Sequence, residues 1–208
     1  MQIDLVIFDM DGVIFEGHNF WLDLHREYGT EQEGVALADR YIDLDYTELA
    51  AQVMERLWKG QPSKPFHRLV QTRRYAKGVA KLFEFLHARE ICSAIVSTGP
   101  YHLAERAQRD LSIDLIRANR LEIAGGMLTG AVDIQVRENH KDEVGRELIS
   151  LLGTTPERTA FVGDSDGDVS LAQIVGLPVA YGERSKKLSS IAKHTLPTGR
   201  LADLTRLL

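Results

Sequence analysis

The chain has 208 residues, 44% of them hydrophobic and 26% charged, with a formal net charge of -5. That composition is ordinary for a globular fold and gives no electrostatic support for a nucleic-acid partner. Cys92 is the single cysteine, which excludes an intramolecular disulfide, and no apolar run reaches the roughly 20 residues of a membrane helix.

An apolar run opens the chain without the basic stretch and cleavage site of a leader, so a cytoplasmic protein with no membrane contact is expected. The run Ile3–Phe8, rich in β-branched residues and free of polar alternation, predicts a strand buried on both faces, ending in Asp9-Met-Asp11-Gly12. Helical spacing follows over Asn19–Tyr28, Val35–Ile42, Tyr46–Lys59 and Phe66–Tyr75, with Gly29 as a C-cap and a break at Gly60–Pro65. Residues 16–75 thus form a helical block with no convincing strand.

Strand–helix alternation resumes with a helix over Gly78–Arg89, a strand over Ile91–Val96 ending in Ser97-Thr98-Gly99-Pro100, and a helix over Tyr101–Leu111. Leu115–Val136 reads as a β-hairpin around Gly125-Gly126. A helix over Asn139–Leu152 carries Lys141 in its first turn. A strand over Thr159–Val162 ends in Gly163-Asp164-Ser165-Asp166-Gly167-Asp168 and leads into a helix over Val169–Val175. A strand over Leu177–Tyr181 and two weaker elements, Lys193–Leu196 and Leu201–Leu208, are expected to finish the sheet. The alternation predicts an α/β fold, a doubly wound parallel sheet with an inserted helical cap and a hairpin. Its expected division is a core of residues 1–15 and 76–208 and a cap of residues 16–75.

In such sheets ligands bind beyond the carboxyl ends of the strands. Three strands end there in Asp9 and Asp11, in Ser97-Thr98-Gly99, and in Asp164, Asp166 and Asp168. Each piece alone has a plain alternative: an Asp-Gly turn, a helix cap, a polar turn, and for Lys141 a solvated side chain. Together they crowd carboxylates that must either protonate or share a cation. With no His or Cys among them, a hard ion such as Mg²⁺ fits better than zinc or copper. A carboxylate nucleophile, a second carboxylate, a hydroxyl and a lysine suit phosphoryl transfer through an aspartyl-phosphate.

In order and type, Asp9-Met-Asp11-Gly, Val96-Ser97-Thr-Gly99, Lys141 and Gly163-Asp164-Ser-Asp-Gly-Asp168 resemble the four motifs of the haloacid dehalogenase-like hydrolase superfamily. Ala118–Glu122 and Gly126–Gly130 look like the hairpin of its phosphoserine-phosphatase-like branch. The resemblance implies a Rossmann-like core and a Mg²⁺-dependent phosphatase for a small phosphorylated metabolite. Asp9 would be the nucleophile and Asp11 the general acid and base. The metal would be held by Asp9, the Asp11 backbone carbonyl and Asp164, and the phosphate by Ser97, Thr98, Gly99 and Lys141. Asp168 would orient Lys141.

The chain also departs from that branch. Val13 replaces a threonine, Gly167 an asparagine, and His18 stands where a glutamate reads the substrate amine. Val53 falls where a cap arginine reads the carboxylate, which leaves Glu16, His18 and Arg56 as specificity candidates. Two other readings fit parts of the pattern: a phosphomutase of the β-phosphoglucomutase type and a non-catalytic phospho-acceptor module.

Overall fold

All four residues of Leu5–Phe8 (β1) are buried, and they alternate between two cores, Val6 and Phe8 on one face and Leu5 and Ile7 on the other. A strand so enclosed belongs at the middle of a sheet, and the computed structural model, which describes residues 2–208, places it there. Met1, the first residue of the expected core segment, lies outside the described residues. The other strands are Cys92–Pro100 (β2), Leu115–Ala124 (β3), Met127–Asp133 (β4), Thr159–Gly163 (β5), Leu177–Tyr181 (β6) and His194–Leu196 (β7). They lie in the order β4-β3-β2-β1-β5-β6-β7, and every neighbouring pair is parallel except β3 with β4.

Helices cover both faces of this mixed α/β sheet, as the alternation predicts. On one face Leu82 and Phe83 of Val79–Ala88 (α5) and Leu103 and Ala107 of Tyr101–Leu111 (α6) pack with Val6 and Phe8. On the other, Leu148 of Lys141–Leu151 (α7) and Leu171 of Val169–Ala172 (α8) pack with Leu5 and Ile7. No helix among the described residues is long and apolar enough to cross a membrane.

Several boundaries differ from expectation, each for a local reason. Leu201–Leu208 does not finish the sheet. Leu201–Arg206 is a 3-10 turn whose buried Leu201 and Leu204 recur at three-residue spacing against α5. The helix Lys186–Ile191, not expected from so polar a segment, starts where Ser185 Oγ accepts the Leu188 N–H at 3.0 Å. β2 runs on through Ser97-Thr98-Gly99 to Pro100, past the expected strand end at Val96. Its pairing with β3 slips between Val96 and Pro100, an irregularity of the kind that re-aims side chains beside active sites.

The inserted segment folds as Phe20–Tyr28 (α1), Glu31–Tyr41 (α2), Tyr46–Gln52 (α3) and Lys64–Thr72 (α4). Asn19 caps α1 by accepting the Leu22 N–H, and Gly29 closes it with φ +69°. α3 runs into a wider π-helical turn over Val53–Trp58, marked by the Lys59 N–H reaching back to the Met54 carbonyl at 2.8 Å. Such turns concentrate at functional sites. α4 stops at Thr72, because Arg73 turns to extended geometry with ψ +123°. The segment is stitched to the hairpin by Gly60 N–H to Leu128 O and Ser63 N–H to Gly126 O, at 2.9 and 2.8 Å.

His25 of α1 is buried, its Nδ1 2.8 Å from Thr30 Oγ1 and its ring centroid 4.5 Å from that of Trp58. Burial pushes its pKa down to about 4, against the opposing pull of Glu31 and Glu33. An unfolded histidine titrates near 6.5, so between about pH 6.5 and 4 the unfolded chain binds the extra proton and stability falls as pH falls. We expect up to about 3 kcal/mol to be lost across that window through this residue. Urea midpoints measured from pH 7 to 4 should therefore show a shallower fall in His25→Gln, and an unchanged slope would refute the assignment.

Candidate active site

β1, β2 and β5 all point their carboxyl ends into one cavity of about 590 Å³, roofed by α1, α2 and α3. Asp9, Asp11, His18, Ser97, Thr98, Gly99, Lys141 and Asp164 line it, so most of the residues singled out from sequence come together. Asp168 lies just behind them, fully buried. Two candidates stay outside. Glu16 is drawn to the surface by Arg74, 3.0 Å away, and Arg56 donates to Gln52 Oε1 at 2.9 Å on the solvent side of its helix.

Lys141 is the electrostatic centre. Its Nζ donates to Asp9 Oδ1 at 2.8 Å and to Asp168 Oδ1 at 2.6 Å, all three groups being buried. Burial works against its ammonium, but Asp168, Asp9 and Glu138 outweigh that and hold its pKa above the ordinary lysine value. Asp168 spends its other oxygen on the backbone N–H groups of Asp164 and Ser165 and on the Ser165 hydroxyl, each at 2.9 Å. It therefore positions Lys141 and the β5 loop, and has no oxygen to spare.

Asp9 and Asp11 differ sharply in their surroundings. Burial raises the Asp9 carboxyl well above the usual carboxylate range; Lys141 opposes this, while Asp168 and Asp164 add to it. Asp11 faces away from that cluster. Its Oδ1 accepts from Arg73 Nη2 and its Oδ2 from the Phe20 N–H, both at 3.2 Å. Burial raises its pKa too, with Arg73 as the main restraint. Arg73 also binds Asp23, so its guanidinium is fixed from both sides.

Asp164 Oδ1 is buried and has no hydrogen-bond partner. Burial, then Asp168, push its pKa up to about 6, while Arg184 and His18 pull it down. Carboxylate oxygens of Asp9, Asp164 and Asp168 lie within 4.8 Å of one another. An orphaned, buried carboxylate oxygen in an all-oxygen cluster is the donor chemistry of a hard divalent cation.

Gly12 makes this approach possible. It sits at φ +81°, and a Cβ there would come 2.2 Å from Asp164 Oδ2. Gly12→Ala should strain the turn and displace the carboxylate, lowering turnover at least about 100-fold. Phosphate-release assays would check this, and wild-type turnover in Gly12→Ala would rule out a fixed Gly12–Asp164 approach.

On the β2 loop Ser97 Oγ accepts the Gly99 N–H at 3.1 Å. A Cβ at Gly99 would stand 2.6 Å from Met10 Cε and within 3.3 Å of Ser97 Oγ and Asp11 Oδ2, so the two motifs meet here at close quarters. Thr98 turns its hydroxyl to Glu138 Oε2 at 3.4 Å. Its carbonyl accepts from Trp21 Nε1 at 2.9 Å, Asn119 Nδ2 at 3.1 Å and the Tyr46 hydroxyl at 3.4 Å. His18, at the mouth, places Nδ1 3.3 Å from Asp164 Oδ2, beside Arg184 Nη1 at 3.4 Å.

Arg73, Glu138 and Arg184 were not expected at the site. Arg73 follows the last inserted helix, and the point where an insertion returns must lie near the point where it leaves. Arg184 comes just after the carboxyl end of β6. Those positions were the available signals. Glu138 gives a reason for Gly167: a Cβ there would stand 1.9 Å from Glu138 Oε1. The larger residue of the resembling branch would displace the glutamate.

The model of the haloacid dehalogenase-like hydrolase family matches residues 6–173, which holds every motif just described. The chain belongs to that family. It is 27% identical over 207 residues to a phosphoserine phosphatase of Archaeoglobus fulgidus, covering 98% of this chain and 59% of that protein's length. It is 28% identical over 209 residues to a phosphoserine phosphatase of Idiomarina loihiensis, covering 96% and 91%. Among solved structures, a phospho-aspartyl intermediate analogue of phosphoserine phosphatase superposes over the whole of both chains with a TM-score of 0.85 at 23% identity. The fold of this hydrolase is thus that of the haloacid dehalogenase-like core with a helical insertion after β1.

Proposed function

We propose that this hydrolase is a Mg²⁺-dependent phosphatase of a small phosphomonoester metabolite that works through an aspartyl-phosphate on Asp9. The observation that carries the reading is the division of labour between the two carboxylates of one turn. Asp9 is held against Lys141 in the acidic cluster, and Asp11 is held apart from it by Arg73 and the Phe20 N–H.

Asp9 and Asp164, with the Asp11 carbonyl that the family resemblance adds, would hold the ion; the unpartnered Asp164 Oδ1 supports this. Bound there, a divalent cation supplies positive charge to the phosphoryl oxygens. Ser97 Oγ, the Gly99 N–H and Lys141 Nζ bind the remaining oxygens, and Asp168 keeps the lysine in place. An Asp9 oxygen forms the new O–P bond as the bond from phosphorus to the leaving oxygen breaks. Asp11, whose raised pKa lets it hold a proton nearer neutrality, gives that proton to the leaving oxygen. The resulting Asp11 carboxylate then takes a proton from the water that splits the aspartyl-phosphate. Residues 16–75 act as the cap that keeps bulk water from this intermediate.

Inorganic phosphate release from simple phosphomonoesters should require Mg²⁺ and fall at least about 1000-fold on chelation, because charge neutralisation dominates phosphoryl transfer. Magnesium should restore it. Undiminished turnover in chelator would overturn the metal assignment. Isomerisation of a sugar phosphate without phosphate release would overturn the hydrolase reading.

A further inference from the structure

The phosphoryl end of the cavity is crowded with charge, but its other end is not. Away from Asp9 the wall is built by Leu22, Val35, Leu49, Val53, Met54 and Trp58, from α1, α2, α3 and the π-helical turn. His25, on the same wall, is held neutral by burial, with a pKa pushed down to about 4. The hairpin side adds Leu121 and Val132.

Every cation on these elements is engaged elsewhere. Arg26 pairs with Asp23 and Glu31, Arg40 lies over the Tyr41 ring, Arg56 binds Gln52 and Lys59 pairs with Glu55. On β3, Arg120 stacks 3.7 Å over the Tyr101 ring centroid. Among the described residues that line the cavity, the lysine and arginine are Lys141 and Arg184, both at the phosphoryl end and both facing carboxylates. Asp9, Asp11, Glu138, Asp164 and Asp166 line that same phosphoryl end, where Lys141, Arg73, Arg184 and Lys187 face four of them.

A carboxylate on the leaving group would enter an apolar wall with no countercharge. Burying an unpaired charge is among the costliest things a binding site can do. The volume, within the range of small-molecule pockets, leaves room for a ring or branched alkyl group beyond the phosphoryl position. Building on the phosphatase reading above, we infer that the substrate's leaving group is uncharged and largely apolar, seated against α2, α3 and the π-helical turn, and is not an amino acid. Val53 is then a specificity-determining residue.

Two esters that differ only in charge test this: 4-methylbenzyl phosphate and 4-carboxybenzyl phosphate, whose methylene group insulates the leaving oxygen from the substituent. With Mg²⁺ and the full chain, kcat/KM for the methyl ester should exceed that for the carboxylate ester at least about 30-fold. L-phosphoserine should fare no better than the carboxylate ester. Val53→Arg should narrow the ratio at least about tenfold, and Val53→Met, which adds bulk without charge, should leave the methyl ester preferred. The wild-type ratio decides the matter without either variant. Parity of the two esters, or preference for the carboxylate or phosphoserine, would overturn the leaving-group inference alone. Absence of phosphate release from all three esters would instead overturn the phosphatase reading on which it rests.

Discussion

Asp9→Asn is expected to abolish turnover, by at least about 10⁴-fold, while leaving the protein folded. The amide keeps the shape of the side chain and one oxygen near Lys141 but cannot attack phosphorus. Activity and stability should part company here. Burial, reinforced by Asp168 and Asp164, raises the Asp9 carboxyl well above its ordinary range. A carboxyl whose pKa is raised by folding binds its proton more tightly in the native state. Above the unfolded value near 3.9, its ionised form therefore costs stability. Metal-free Asp9→Asn should melt no lower than the metal-free wild type at neutral pH. Acid-quenched wild type incubated with substrate should carry a phosphoryl group that Asp9→Asn lacks. Retained turnover in Asp9→Asn would remove the nucleophile from the mechanism altogether.

Lys141→Met should fail in the opposite way, losing both activity and stability. Its ammonium is the shared partner of Asp9 and Asp168 in a buried cluster. Removing one member of such a set leaves uncompensated buried charge, worth about 3 kcal/mol or more. Because folding raises the lysine pKa, its contribution is fully present at neutral pH and is lost only in strong alkali. The deficit of Lys141→Met should therefore be largest near pH 8. It should shrink toward pH 5, where Asp164, with a pKa of about 6, and the raised Asp9 take up protons. Turnover should fall at least about 1000-fold, the scale of losing a preorganised charge aimed at the transition state. Chemical denaturation at two pH values, beside phosphate release, would check both; a stability loss independent of pH would contradict the charge-cluster account.

What was legible in the sequence was whatever depends on periodicity and on chain ends. Continuous apolar runs marked β1, β2 and β5, and because parallel strands share a carboxyl edge, their terminal residues had to meet. Glycines at positive φ, such as Gly12 and Gly29, marked turns and caps that only they adopt easily. The helix Lys186–Ile191 was hidden because only Leu188 of its six residues is fully buried, with Ile191 partly packed beside it. Leu201–Leu208 misled because a few leucines in a short segment fit a strand edge and a 3-10 turn alike.

The roles of charged residues were the least legible. Arg73 and Arg56 look alike in the sequence. One ends a helix, turns inward and grips Asp11; the other stays on an outer helical face with Gln52. Glu138 shows itself only when the space above Gly167 is built in three dimensions. Long-range packing decides such cases, and no local pattern encodes it.

The Thr98 carbonyl accepts from an α1 tryptophan, an α3 tyrosine and a β3 asparagine. An oxygen has two lone pairs, so three donors oversubscribe it and the longest contact is the most readily surrendered. That contact is Tyr46, at 3.4 Å, against 2.9 Å for Trp21. The roof over the cavity is therefore hung unevenly: α1 meets this carbonyl through the shortest of the three bonds, while α3 meets it through the longest and is held by buried Leu49 and by Asn119 Nδ2, which donates to the Tyr46 hydroxyl at 3.2 Å.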